Sequence, residues 1–190
     1  GEDGPELQAA EHLAGGVLRR ALDGGAAVFG VCAGYQLLGT SFPDATGARR
    51  PGLGLLDVST VKGPGRRAVG ELLAEPFPGQ LFGPSPPALT GFENHSGHTR
   101  LGAEARPLAV VRTGVGNGDG SEGAWQGNVV GTYLHGPALA RNPALADLLL
   151  SLATGDVQVA LDDSEEQALR LERLAAARQL RWRRVLARRA

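Results

Sequence analysis

The chain's single cysteine stands in Val28-Phe29-Gly30-Val31-Cys32-Ala33-Gly34-Tyr35-Gln36-Leu37-Leu38-Gly39. The apolar run from Ala26 to Val31 has the composition of a buried strand in a parallel sheet. Cys32 follows it directly, and Tyr35-Gln36-Leu37-Leu38 opens a helix. A nucleophile between a strand and a helix, with Gly30 and Gly34 on either side, is the pattern of a nucleophile elbow with cysteine in place of serine. The glycines suit a tight turn where backbones crowd. The thiol would sit at a helix N-terminus, where free N–H groups and the dipole favour a thiolate. The competing reading is a buried structural cysteine, since free Cys packs as a small hydrophobe. A second group favours the chemical reading. In Gly131-Thr132-Tyr133-Leu134-His135-Gly136-Pro137, the histidine ends a β-rich run. Carboxyl ends of strands carry the chemistry in α/β sheets. An imidazole beside a thiol can take its proton and later return it.

Glu93, His95 and His98 lie close together in Gly91-Phe92-Glu93-Asn94-His95-Ser96-Gly97-His98-Thr99. On a continuous strand Glu93 and His95 share one face and His98 takes the other. That is poor metal geometry, and no second cysteine is present to complete a zinc set, so no metal is expected. Nor does an acid lie within two residues of His135, where a third catalytic group could orient the imidazole. Three arrangements stay open: Glu93 substitutes, the pair works as a dyad, or a partner subunit supplies a carboxylate.

The elements that must position these residues read as follows. Helical spacing of apolar residues runs from Glu6 to Leu22 and stops at Asp23-Gly24-Gly25. The elbow strand and a helix to about Thr40 come next. Residues 41–51 read as loop. Leu53 to Val61 reads as a strand, with Ala68 to Ala74 as its expected neighbour. Residues 77–87 are loop, and 89–99 and 108–113 are strands. Residues 114–123 hold five glycines and read as a flexible surface loop. Residues 125–134 read as one strand, Ala144 to Thr154 as a helix ended by Gly155, and Ser164 to Ala190 as one long helix. Helices at the ends and β-rich sequence between them fit a flavodoxin-like three-layer α/β domain. The expected organisation is a catalytic domain over 1–163 and a basic helix over 164–190.

Composition narrows the function classes. The 190 residues suit one domain. Net charge is −1, and of 19 basic residues only Lys62 is lysine. The arginine-rich terminal helix (Arg170, Arg173, Arg178, Arg181 and onward) reads as the solvated face of a docking helix rather than a nucleic-acid surface. One cysteine rules out an internal disulfide framework and suits a reducing cytoplasm. The apolar runs are too short for a transmembrane helix, and no signal peptide is recognisable. No G-x-x-x-x-G-K-[ST] phosphate loop occurs, so ATP-dependent activation of an acceptor would fall to another chain.

Together the cysteine elbow, the Gly91–Thr99 block, Gly52-Leu53-Gly54-Leu55-Leu56-Asp57 and Gly131–Gly136 resemble the class I glutamine amidotransferases. The nearest branch is the cobyric-acid-synthase-like one, and within it the glutamine amidotransferase subunits of lipid II isoglutaminyl synthase. The resemblance runs from Gly1 to about Arg173. It implies a glutaminase with Cys32 as nucleophile and His135 as base. One oxyanion N–H would come from Ala33. The other would come from a Gly-rich turn whose tail is Gly1-Glu2-Asp3, with Gly1 a candidate donor and further strands expected upstream. It implies that Tyr35 and Gln36 line the glutamine pocket, against ordinary helix packing as the plain alternative. It implies that Arg67, three residues before Gly70, reads the substrate α-carboxylate, with Arg66 as the rival. Glu93, Asn94 and His95 would shape the pocket from behind. The same branch carries His-Gly-Pro, which favours a carboxylate from the partner. That partner would be a Mur-ligase-like, ATP- and Mg-dependent subunit forming a cytoplasmic heterodimer. It would amidate the D-glutamate α-carboxyl of lipid II in peptidoglycan synthesis. The rivals are the amidotransferase part of a cobalamin-pathway amide synthase and a non-catalytic interaction protein.

Overall fold

The computed structural model describes residues 8, 9, 12, 13, 16–156 and 162–187. Gly1, and most of the segment before Gly16, lie outside the described residues. Helix α1 (Val17–Asp23) begins after Gly16, which is left-handed at φ 76°. It stops at the expected Asp-Gly-Gly. Strand β1 (Val28–Val31) and helix α2 (Ala33–Leu38) flank Cys32 as the sequence predicts.

Residues 41–51 are not loop but a hairpin of β2 (Ser41–Pro43) and β3 (Arg49–Pro51). Two short strands each ending in proline read as loop from sequence. The hairpin is closed by a side chain instead. Asp44 accepts hydrogen bonds from Thr46 Oγ1 (2.5 Å), Ala48 N (2.9 Å) and Arg50 Nε (2.7 Å). The Thr46 hydroxyl, with Ala48 and Arg50, lowers the Asp44 carboxyl to about 2.

Strand β4 (Val58–Lys62) pairs with β2 and with β7 (Gly97–Leu101). The expected neighbour, β5 (Ala68–Pro76), instead joins β6 (Leu89–His95) and β8 (Ala109–Thr113). The predicted strand over 89–99 breaks at Ser96, so β6 and β7 enter different sheets. Strand β9 (Ser121–Glu122) extends the β5–β6–β8 sheet. The predicted strand over 125–134 is a hairpin of β10 (Ala124–Gln126) and β11 (Val129–Thr132), turning at Gly127 with φ 54°.

The result is a mixed α/β architecture of three small sheets. Parallel pairing joins β1 to β11 over four residues and β2 to β4 at one position. Tyr35, Leu56, Leu72, Leu89, Val130, Leu134 and Leu145 form one continuous core between the sheets. Helix α3 (Pro143–Thr154) has proline in its first turn and ends at left-handed Gly155. Helix α4 (Ser164–Ala187) has Glu165 and Glu166 in its first turn, where they complement the dipole. It packs on β5: Leu174 meets Leu73, and Arg170 Nη2 donates to Ala88 O at 2.5 Å.

Glycines record how closely these layers approach. A Cβ on Gly131 would lie 2.0 Å from the Tyr35 ring, and one on Gly30 would lie 2.6 Å from Leu38 Cδ1. Around Gly34 nothing lies within 4 Å, so only the first of the two elbow glycines is fixed by crowding. Gly131→Ala is expected to destabilise the fold by about 2 kcal/mol or more, because the buried Tyr35 has no room to retreat. Gly34→Ala should be neutral or stabilising by up to about 1 kcal/mol, from helix propensity. Urea unfolding of the two variants checks the contrast.

Candidate active site

The elbow is formed as the sequence predicts. Cys32 has φ 54° and ψ −110°. It is the one non-glycine residue with positive φ among the described residues. Backbone in this region costs about 1–3 kcal/mol and persists where its surroundings hold it. Here the clamp is double. Cys32 N donates to Thr132 O at 2.9 Å, and Gln36 N donates to Cys32 O at 3.0 Å. The strain turns the thiol out of the sheet, and Sγ points to the Asn94 carbonyl oxygen 3.9 Å away.

Thr132 also ends β11, the strand that carries the chain on to His135. Cys32 and His135 therefore leave the carboxyl ends of two adjacent parallel strands. His135 is held by a two-way backbone bridge to Phe92 on β6, with His135 N donating at 2.9 Å and Phe92 N donating back at 3.3 Å. Asn94, the residue facing Cys32 Sγ, lies two positions further along the same strand. His135 Nε2 is buried without a hydrogen-bond partner. Burial first, then the positive charges of His95 and Arg67, lower its basicity below the ordinary value of 6.5. A neutral imidazole with a free ring nitrogen is the form a general base requires.

A cavity of about 230 Å³ opens at Cys32, below the roughly 300–1,000 Å³ of drug-sized sites. Ala33, Gln36 and Arg67 line it, and so do Asn94 and His95, which were expected behind the pocket; Glu93, His135, Arg66 and Tyr35 are not among its lining residues. Tyr35 is fully buried and donates to Asn117 Oδ1 at 3.2 Å. Its expected place in the pocket wall is corrected to the core beneath, because it faces Gly131 and Tyr133. Arg67 donates from Nε to Asn94 Oδ1 (2.5 Å) and from Nη2 to Asn94 O (2.8 Å). Lys62, Asp44, Ser96 and Gly97 also line the cavity and were not singled out from sequence. Lys62 carried one legible signal: it follows Val58 and Thr60 on one strand face.

Under the cavity lies a polar layer. Gln36 Nε2 donates to Tyr133 Oη at 3.1 Å, and Thr99 Oγ1 meets the same oxygen at 2.7 Å. His95 stacks on Tyr133 with ring centroids 3.7 Å apart, and its Nδ1 donates to Gly97 O at 2.9 Å. Its Nε2 faces Glu93 Oε2 at 3.4 Å, ion-pair range without hydrogen-bond geometry. The Glu93 carboxylate accepts the amides of Val115 and Gly116 at 2.9–3.0 Å. Glu93 is thus committed to His95 and to the glycine-rich segment 114–118, rather than to His135. The same contacts correct the expectation of a flexible surface loop: Asn117 and Glu122 are buried. Glu122 accepts from Thr132 Oγ1 and from Tyr133 N. Burial, the largest cause, pushes its carboxyl up to about 7. Among the described residues no group of three or more His, Cys, Asp and Glu side chains could hold a metal ion.

Residues 5–143 match the CobB/CobQ-like glutamine amidotransferase domain. The chain belongs to that family. It is 37% identical over 130 residues to the subunit GatD of lipid II isoglutaminyl synthase (glutamine-hydrolyzing) from Streptococcus pneumoniae, covering 66% of this chain and 47% of that protein. The GatD of Staphylococcus aureus is 36% identical, with 72% and 53% covered. A cobyric acid synthase from Caulobacter is 36% identical, with 80% and 32% covered. The chain thus spans about half the length of the two GatD relatives or less. A crystal structure of a glutamine amidotransferase superposes with a TM-score of 0.57 at 24% identity, covering 80% of this chain and 74% of the other. That likeness bears on the fold alone.

The glutamine amidotransferase family and the α/β fold are therefore as the sequence motifs indicated. Two titrations test the geometry of this family member's site. The His135 imidazole is expected to titrate below 6.5 by NMR, and to move up in Arg67→Gln as one of the opposing charges is removed. Glu122 holds its proton to about 7 in the folded chain, against 4.5 ordinarily. The native state then binds more protons than the unfolded state between those values, and stability falls as pH rises through them. Urea unfolding at pH 5 and pH 8 should show a wild-type loss on the order of 3 kcal/mol that Glu122→Gln lacks.

Proposed function

We propose that this chain hydrolyses L-glutamine and passes the ammonia to a Mur-ligase-like, ATP-dependent partner that amidates the D-glutamate α-carboxyl of lipid II. The observation that carries the reading is the strained Cys32 elbow at the carboxyl end of β1, with the paired strand β11 leading on to His135. Cys32 gives its proton to His135, and the thiolate attacks the side-chain amide carbon. The tetrahedral oxyanion is held by the Ala33 N–H and by a second donor from the turn upstream, where Gly1 is the candidate. Collapse of this intermediate breaks the C–N bond, and His135 returns the proton to the departing ammonia. Water, deprotonated by His135, then opens the glutamyl thioester and releases glutamate.

Glu93 is engaged elsewhere, which supports a carboxylate supplied by the partner to orient His135. The likeness to the two GatD subunits supports the lipid II acceptor and a separate synthase subunit; the proposed assembly is a cytoplasmic heterodimer with that ligase. The likeness to cobyric acid synthase keeps a cobalamin-type acceptor as the rival reading. Among the described residues no helix is long and apolar enough to cross a membrane.

Glutamate release from glutamine should be weak for the chain alone and rise roughly 100-fold with the co-expressed ligase, the scale that general acid–base positioning supplies. Cys32→Ala should lose it entirely. Activity indifferent to the ligase would refute completion by a partner, and ligase-dependent amidation of a corrinoid acid but not lipid II would move the reading to the rival.

A further inference from the structure

One buried acid, Glu122, reaches the supports of both catalytic residues from outside the cavity lining. Its backbone belongs to β9, where Leu108 N donates to Glu122 O at 3.1 Å beside the ladder with β8. Its side chain, 0% exposed, leaves that sheet and meets the end of β11. Gly123 allows this crossing. It is left-handed at φ 57°, and a Cβ there would stand 2.5 Å from Gly131 O on β11.

Strand β11 stops at Thr132, so the amides that follow need acceptors outside the ladder. Glu122 Oε1 accepts from the Tyr133 amide at 2.9 Å and from the Thr132 hydroxyl. A hydroxyl that donates its proton can still accept, and Thr132 Oγ1 accepts from the Leu134 amide at 3.0 Å. The next amide, that of His135, donates to Phe92 O at 2.9 Å. One carboxyl oxygen thus braces the link from Thr132 to His135. The Cys32 amide donates to the Thr132 carbonyl, so the same brace stands under the nucleophile as well. The second oxygen, Glu122 Oε2, is buried without a hydrogen-bond partner. Burying an acid in this way is costly, and the cost falls where the two catalytic residues share one support.

We infer that Glu122 is a positioning residue for glutamine hydrolysis: by fixing the turn that leaves β11, it sets Cys32 and His135 relative to one another. This rests on the glutaminase reading above. Glu122 lies behind the site and not in its wall, so its loss should misplace the pair without weakening substrate binding. The effect should appear in kcat and not in KM.

The test uses the chain with its ligase partner. Turnover is expressed per site titrated by the diazoketone analogue of glutamine, so that unfolded molecules do not count. Glu122→Ala should lower kcat per site roughly 100-fold, the scale of a misplacement of about 1 Å, with KM for L-glutamine within about twofold of wild type. Glu122→Gln keeps the acceptor oxygen and should recover most of the rate. Thr132→Val removes the hydroxyl at similar size. Alone it should lower kcat about 10-fold, and in Glu122→Ala it should add little, because both act through one hydrogen bond. By NMR, the His135 ring resonances should shift in Glu122→Ala and return toward wild type in Glu122→Gln. If Glu122→Ala only reduces the number of titratable sites, and those remaining turn over at the wild-type rate, Glu122 is structural alone. The inference then falls and the glutaminase reading stands. If Glu122→Ala yields no titratable sites, Thr132→Val decides, and wild-type turnover per site in that variant overturns the inference. If the wild-type chain releases no glutamate and takes up the diazoketone no faster than iodoacetamide, the glutaminase reading falls and this inference with it.

Discussion

The pairing of β1 with β11 is the constraint on which the site depends. These strands run parallel in register from Val28↔Val129 to Val31↔Thr132. The ladder's last bond, from Cys32 N to Thr132 O, fixes the elbow at the point where the chain must turn into α2. Gly131 permits this by letting the Tyr35 ring lie flush on β11. The same strand leads on to His135. One short ladder thus sets both the strained backbone of the cysteine and the departure point of the histidine.

Strain at Cys32 has to be offset by its surroundings, and the layer under the cavity is built for that. Tyr133 sits at its centre, touched by Gln36, Thr99, His95 and Tyr35. Its backbone amide is held by Glu122. Glu93 gathers the amides of the segment 114–118 and faces His95. Buried polar groups are stabilising only when their partners are in place. Two oxygen and nitrogen atoms here, Glu122 Oε2 and His95 Nε2, lack hydrogen-bond partners. The layer therefore carries a desolvation cost at the site, and its rigidity holds the residues above it.

The cavity itself is polar and asymmetric. Asp44 is kept ionised by its clamp, while Lys62 and Arg67 supply positive charge from β4 and from the turn into β5. A zwitterion with a polar side chain fits such a set better than an apolar or polyanionic ligand does. The hairpin β2–β3, which sequence reads as loop, supplies Pro43, Asp44 and Ala45 to this wall. Its strands are too short for a propensity signal, and its stability comes from one buried carboxylate.

Local chemistry was legible in the residues themselves. The apolar run before Cys32 and the helix after it gave the elbow, and with the block around His135 they gave the family, because each depends on neighbours within a few positions; β11 itself ends earlier than the Gly-Pro break suggests, at Thr132. Helix ends at Gly24 and Gly155 were legible for the same reason. What the tertiary structure decided was long-range. It decided that β5 joins β6 and β8 rather than β4, and that the strand over 89–99 splits at Ser96 between two sheets. It buried the glycine-rich segment against Glu93, withdrew Tyr35 from the pocket, and brought Lys62 into it. Each of these turns on which surface a segment meets across tens of residues. Periodicity names the face of a strand but not the layer that covers it, and composition does not register a carboxylate that gathers distant amides.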